Sequence, residues 1–304
     1  MPVETIDRLA SELEAEGARV RADVDDFFVT LLASPTDSRE RLYEAMRHAV
    51  VGGGKRLRPL LTVGASRLFA IDRSRALRVG CAIEAIHAYS LIHDDLPCMD
   101  DAELRRGKAT VHVAFDEATA VLAGDSLHAL AFEILADAET HEDPWVRSDL
   151  VLELARAAGP AGMAGGQMMD LAAERQQLDL PAITRLQQLK TGALIEYSVE
   201  AACIMARLPA EARTPYRGYA RNIGLAFQIA DDLIDHSGDA GAAGKPTGRD
   251  ADAGKATFVS LLGEERARQQ AGFLVEQATE HLSDHGDEAD LLRAIAKFAI
   301  DRNH

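Results

Sequence analysis

The chain has 304 residues, 47% of them hydrophobic, enough to bury one large core or two ordinary ones. Aromatics are only 5%, and the apolar content is mostly Ala and Leu, which favours helix over sheet. A formal net charge of −16 argues against a nucleic-acid-binding surface and for a soluble, self-repelling molecule.

In chain order, helical periodicity predicts helices over 4–33, 39–51, 57–70, 74–96, 114–138, 147–158, 161–175, 182–206, 211–236, 255–283 and 287–302. No segment shows convincing strand alternation. Breaks fall at SPTDS (34–38), ETHEDP (139–144), LPAEARTP (208–215) and the polar run HSGDAGAAGKPTGRDADAG (236–254). That last loop is long and Gly-rich for a compact domain, the usual signature of a functional loop or lid. Without an internal repeat or a shift in composition, one all-α domain over 1–304 is expected. Cys81, Cys98 and Cys203 lack metal-ligand spacing, and a sparse odd count suits a reducing compartment. The first residues carry acids and no apolar signal core, and no apolar run reads as long enough for a membrane span. A cytoplasmic protein without membrane insertion is the expectation.

The predicted helix 74–96 runs into LIHDDLPCMDD (91–101). Glu84, His87, Leu91 and Asp94 are three, four and three residues apart and share one face. Pro97 ends or kinks the helix, so the chain beyond can turn Asp100 or Asp101 back toward Asp94. Two like charges at 4 Å repel by roughly 4 kcal/mol in a partly buried setting, and the usual remedy is a cation. Clustered hard oxygens suit Mg²⁺, completed by waters and phosphate. An isolated acidic run is more often a solvated helix end. Here apolar residues precede it, and LRRGK (104–108) follows with Arg105, Arg106 and Lys108 to meet a phosphate.

A second knot lies in FQIADDLID (227–235). Asp231 and Asp235 share a helical face with Asp232 adjacent, and no base stands at the fourth position. Acids at a helix C-terminus oppose the macrodipole, so a compensating cation is again implied. GGGKRLRP (52–59) only superficially resembles a phosphate loop, because Arg56 stands where a Walker motif requires Ser or Thr. Glycines ahead of a helix with Lys55 and Arg58 still suit a diphosphate.

Together, HDDLPCMDD with LRRGK, and FQIADDLID, resemble the isoprenyl diphosphate synthases, the chain-elongating trans-prenyltransferases. GGGKRLRP, AGGQMMDL (164–171), KTGAL (190–194) and GKATF (254–258) match the same pattern, so the resemblance covers almost the whole chain. It implies the isoprenoid synthase fold, a homodimer of helical bundles around a deep central cavity, with Mg²⁺ as cofactor and Mn²⁺ as a possible substitute. Carried over by position, Asp94, Asp95 and Asp100 form the first metal motif and Asp231, Asp232 and Asp235 the second. Asp94, Asp100 and Asp231 stand as the direct ligands. Lys55, Arg58, His87 and Arg106 would hold isopentenyl diphosphate. Arg105, Lys190, Thr191, Gln228, Lys245 and Lys255 would hold the allylic diphosphate.

Tyr89 lies five residues before Asp94, about 7.5 Å along a helix axis. An aromatic there, with Ser90 beside it, resembles the floor of bacterial farnesyl diphosphate synthases, and implies a fifteen-carbon product. The rival readings are a geranylgeranyl diphosphate synthase, and a non-catalytic subunit of a heteromeric enzyme.

Overall fold

The computed structural model describes residues 3–173, 178–237 and 257–300. Helices α1 (Val3–Leu31), α2 (Glu40–Val50) and α3 (Leu57–Arg67) lead into α4 (Arg73–Asp94). The Asp72 side chain starts α4 by accepting from the Ser74 and Arg75 N–H groups. Two short strands, β1 (Leu104–Arg105) and β2 (Lys108–Ala109), precede α5 (Val111–Ala114), α6 (Glu117–Ala136), α7 (Pro144–Ala158) and α8 (Met163–Ala173). Then come α9 (Leu180–Gln187), a π-helical turn (Gln188–Gly192), α10 (Ala193–Met205), a 3₁₀ turn (Ala210–Arg213) and α11 (Thr214–Ser237). The chain closes with α12 (Phe258–Leu262), α13 (Glu264–Glu280), a 3₁₀ turn (Asp287–Ala289) and α14 (Asp290–Phe298).

Helix α4 is the hub. Val79, Ile83, Ile86 and Ile92 are buried, because α3 packs on one side of the helix and α6 on the other. Each such side chain contributes about 1.5–3 kcal/mol on burial. At Gly80 a Cβ would lie 2.8 Å from Pro59 Cα, so α3 and α4 approach closely only because a glycine stands there. Helix α11 packs against α13 and α10, and α14 closes against α1 and α3. The two buried phenols are satisfied: Tyr197 donates to the Leu150 carbonyl at 2.8 Å and Tyr219 to the Leu292 carbonyl at 2.7 Å.

Four expectations are revised. Residues 104–109 form a hairpin whose connecting pair, Arg106 and Gly107, has φ of 53° and 77°, a type I′ signature too short to read as alternation. The segment 182–206 is not one regular helix, since the π turn interrupts it. The segment 255–283, described from 257, divides at Gly263, whose φ of 79° ends α12. Finally, α6, at 20 residues, is long and apolar enough by length and composition to cross a membrane. Its buried face (Ala120, Ala123, Leu127, Ala131, Ile134) has the spacing of an ordinary core helix.

Candidate active site

The first aspartate motif folds as its spacing implies. After α4 ends, the Asp100 N–H donates to the Asp94 carbonyl at 2.8 Å, which brings Asp100 back beside Asp94. Of the two residues the sequence left open, Asp101 turns through the left-handed region (φ 48°). Asp94 is half-buried and Asp100 exposed. Asp95 is turned inward: it is buried, and Arg105 Nε donates to both its oxygens at 2.8 Å, with Nη2 at 2.6 Å from Oδ1. A fork so engaged is a bidentate anchor, which aims Arg105 rather than leaving Asp95 open.

Burial raises the Asp94 carboxyl to about 6, with neighbouring Asp100 and Asp95 adding to the rise and Lys190 and Arg105 opposing it. Burial and two like charges outweigh the two cations that face the carboxyl. The sign follows directly. The folded state binds the extra proton, so stability falls as pH rises from the unfolded value near 4 through 6. A cation that needs the ionised form relieves this above pH 6. We expect Mg²⁺ to raise the melting temperature more at pH 7.5 than at pH 5. Equal shifts at both pH values would remove Asp94 from the metal site.

In the second motif, Asp231 is exposed and Asp235 half-buried, one turn apart on α11. Asp232 is buried, accepting from Gln228 Nε2 at 2.9 Å and from the Phe258 N–H at 2.8 Å. It therefore ties the start of α12 to α11 and orients Gln228.

Lys190 and Thr191 lie on the π turn, a feature that recurs at functional sites. Lys190 Nζ is 2.6 Å from Asp170 Oδ2 on α8, a partner that AGGQMMDL contains but that its local pattern does not single out. At Gly166, also on α8, a Cβ would stand 2.2 Å from the Lys190 N and 2.6 Å from its Cα. On the other side a Cβ added at Gly224 of α11 would meet the Gly192 Cα at 3.6 Å, an ordinary contact. The π turn thus packs between α8, where a glycine is required, and α11, whose next turn carries Gln228. Thr191 Oγ1 lies 3.4 Å from Gln187 Oε1.

A basic cavity opens beside the first motif, lined by Gly52, Gly53, His87, Arg105, Arg106 and Lys108. Burial and four surrounding guanidinium groups push His87 well below the ordinary histidine range, so it is neutral at pH 7. Arg106 is held in the left-handed region and covers Gly54, where a Cβ would lie 2.3 Å from its guanidinium. Non-glycine residues at positive φ cost energy, and such strain gathers at functional sites. Arg58 Nε is buried without a hydrogen-bond partner among the described residues. Burial, followed by neighbouring Arg106, lowers the affinity of Arg58 for its proton, with Glu84 opposing. An orphaned donor among cations calls for an anion.

Arg56, which broke the Walker pattern, is 3% exposed and bridges Glu84 on α4 and Asp25 on α1, each at 2.8 Å. The Gly52 N–H donates to Asp25 as well, so the glycine loop is tied from within. Lys55 lies elsewhere: its Nζ sits 5.6 Å from the Phe298 ring centroid, at an apolar groove between α1 and α14. Lys245, Lys255 and nearly all of the 236–254 loop fall outside the described residues.

Tyr89 is half-buried, with its ring edge-on to His93 and His128. The Ser90 hydroxyl donates to the His87 carbonyl at 2.9 Å.

The polyprenyl synthetase family model matches residues 39–297. Among solved structures, an FPP/GFPP synthase from Zymomonas mobilis is 56% identical, with a TM-score of 0.88 over 96% of this chain and 99% of that one. A geranyltransferase from Helicobacter pylori, complexed with magnesium and isoprenyl diphosphate, is 31% identical, with a TM-score of 0.81 over 96% of each chain. The farnesyl diphosphate synthase of Escherichia coli strain K12 is 44% identical over 265 residues, 86% of this chain and 89% of that protein.

Proposed function

The chain belongs to the polyprenyl synthetase family, and from that premise we propose a trans-prenyltransferase joining isopentenyl diphosphate to dimethylallyl and geranyl diphosphate, with farnesyl diphosphate as product. The observation that carries this reading is the buried, orphaned Arg58 donor in a cluster of cations, which no group among the described residues satisfies.

Residue by residue, the motifs divide into those that meet ligands and those that aim them. Asp94, Asp100, Asp231 and Asp235 would hold Mg²⁺, or Mn²⁺ in its place. Asp95 and Asp232 hold Arg105 and Gln228 in position. Among the described residues no three His, Cys, Asp or Glu side chains converge on one point to hold a metal. That fits a cation which keeps its waters and takes a few carboxylates plus substrate phosphate. When bound, Mg²⁺ supplies charge stabilisation to the departing diphosphate.

Lys190, Thr191, Gln228 and Arg105 hold the allylic diphosphate, with Lys245 and Lys255 assigned by position. Arg58, Arg106 and His87 hold isopentenyl diphosphate, His87 through a neutral hydrogen bond rather than a charge; Lys55 is assigned there by position only. Loss of diphosphate leaves an allylic cation, and the double bond of isopentenyl diphosphate attacks it. The proton then released goes to the departed diphosphate. The apolar wall of α4 keeps water from the cation.

We also propose a single domain over 1–304 that works as a homodimer. One hydrophobic core runs from Val20 to Ala299, while Val121 and Leu122 of α6 and Val113 of α5, two helices that touch, are exposed. An apolar patch of that kind favours a protein partner.

The test is product length. Purified protein with isopentenyl and dimethylallyl diphosphates and Mg²⁺ should yield farnesol after dephosphorylation. Tyr89→Ala should move the main alcohol to geranylgeraniol or longer. Condensation without that change would remove Tyr89 as the floor, and no condensation by the wild type would favour the non-catalytic subunit.

A further inference from the structure

Rings line up along the seam between α4 and α6. Tyr89 meets His128 at a centroid distance of 4.9 Å and 86°, and His93 at 5.8 Å and 73°; His128 in turn meets Phe132 at 5.2 Å. All three contacts are edge-to-face, the geometry in which aromatic quadrupoles attract. Tyr89 and His93 are four residues apart, so both point from α4 toward α6.

His93 reaches its place only because of α6. Its Nε2 lies 3.2 Å from the Val121 carbonyl, which can only accept, so Nε2–H is the donor. The ring lies over Gly124, where a Cβ would come within 2.1 Å of Nε2, 2.6 Å of Cδ2 and 2.7 Å of Cε1. Glycine in a helix interior is unfavourable relative to alanine, so Gly124 requires a reason, and the seat for the imidazole is one.

We infer that His93, seated on Gly124 of α6, is a positioning residue that holds Tyr89 in the orientation ending product growth. This rests on the reading of Tyr89 as the floor. Tyr89 has free rotation about Cα–Cβ only if space opens beside it. His93 fills that space on one side and His128 on the other. Asp94 follows His93 directly, so the same peptide links the floor to the metal motif. The length of the product is then set by how α6 meets α4 and not by Tyr89 alone.

The experiment compares His93→Ala, Gly124→Ala, Tyr89→Ala and the double variant His93→Ala/Tyr89→Ala, each as full-length protein checked by circular dichroism. The readout is the distribution of product alcohols. His93→Ala and Gly124→Ala should each raise the share of alcohols beyond fifteen carbons about five-fold, the factor carried by one ring contact. Gly124→Ala keeps the imidazole and only displaces it, so it serves if His93→Ala does not fold. The double variant should match Tyr89→Ala, because His93 acts through the tyrosine. If Tyr89→Ala lengthens the product while His93→Ala and Gly124→Ala do not, the positioning role is wrong and the floor stands. Lengthening in the double variant beyond Tyr89→Ala would make His93 part of the floor itself and overturn the inference. An unchanged product in Tyr89→Ala overturns both readings.

Discussion

Asp94→Ala is expected to lower kcat by about 10³-fold while the protein stays folded, the range seen when one preorganised electrostatic group is removed from a reacting centre. The side chain is half-buried at the end of α4, and its carboxyl is raised to about 6 by burial and by Asp100 and Asp95. Removing it takes away a charge the fold tolerates poorly, so the variant should melt no lower than wild type in the absence of metal. The same variant should lose most of the thermal shift with Mg²⁺. Steady-state turnover and melting curves with and without Mg²⁺ settle the matter together. Near-normal turnover, or an undiminished Mg²⁺ shift, would refute the assignment.

Gly166→Ala should be nearly as damaging, although the residue touches no substrate. The added methyl would stand 2.2 Å from the Lys190 nitrogen, a contact with backbone that no rotamer relieves. The π turn must then move away from α8 and carry Lys190 and Thr191 with it. Displacement of about 1 Å can cost 10²-fold in rate when geometry is the source of catalysis. The KM for the allylic substrate should rise with the loss of kcat, whereas that for isopentenyl diphosphate should change little, because the basic cavity is built from α4, the glycine loop and the hairpin. A variant with wild-type constants for both substrates would show that the π turn does not position the allylic diphosphate.

The two predictions differ in how visible they were beforehand. Asp94 is legible from spacing: steps of four and three residues place it on one face with His87 and Leu91, and Pro97 announces the turn that returns Asp100. Gly166 is not. A glycine inside AGGQMMDL reads as a weak point in a helix until α9 and the π turn are laid across it. The basic residues divide the same way. Arg105 and Arg106 are adjacent in LRRGK, yet the hairpin sends them in different directions. One is clamped by buried Asp95, and the other is held at positive φ over Gly54. Lys55 and Arg56 are also neighbours, and their side chains part in the same manner. Arg56 goes inward to Glu84 and Asp25, while Lys55 lies over Phe298.

What the amino-acid order alone determined is everything that depends on a residue's own helical turn. That includes the all-helical class, the two aspartate motifs, the shared face of His87 and Asp94, and the placement of Tyr89 below the first motif. These follow from a 3.6-residue period and from capping and proline rules that act over three or four residues. Tertiary structure decided which aspartates of each motif are buried and paired, the π turn between Gly166 and Gly224, and the ring column from His93 to Phe132. Each of those depends on at least one contact between separate elements of the fold. Its distance is set by the close packing of whole helices, which no local pattern encodes.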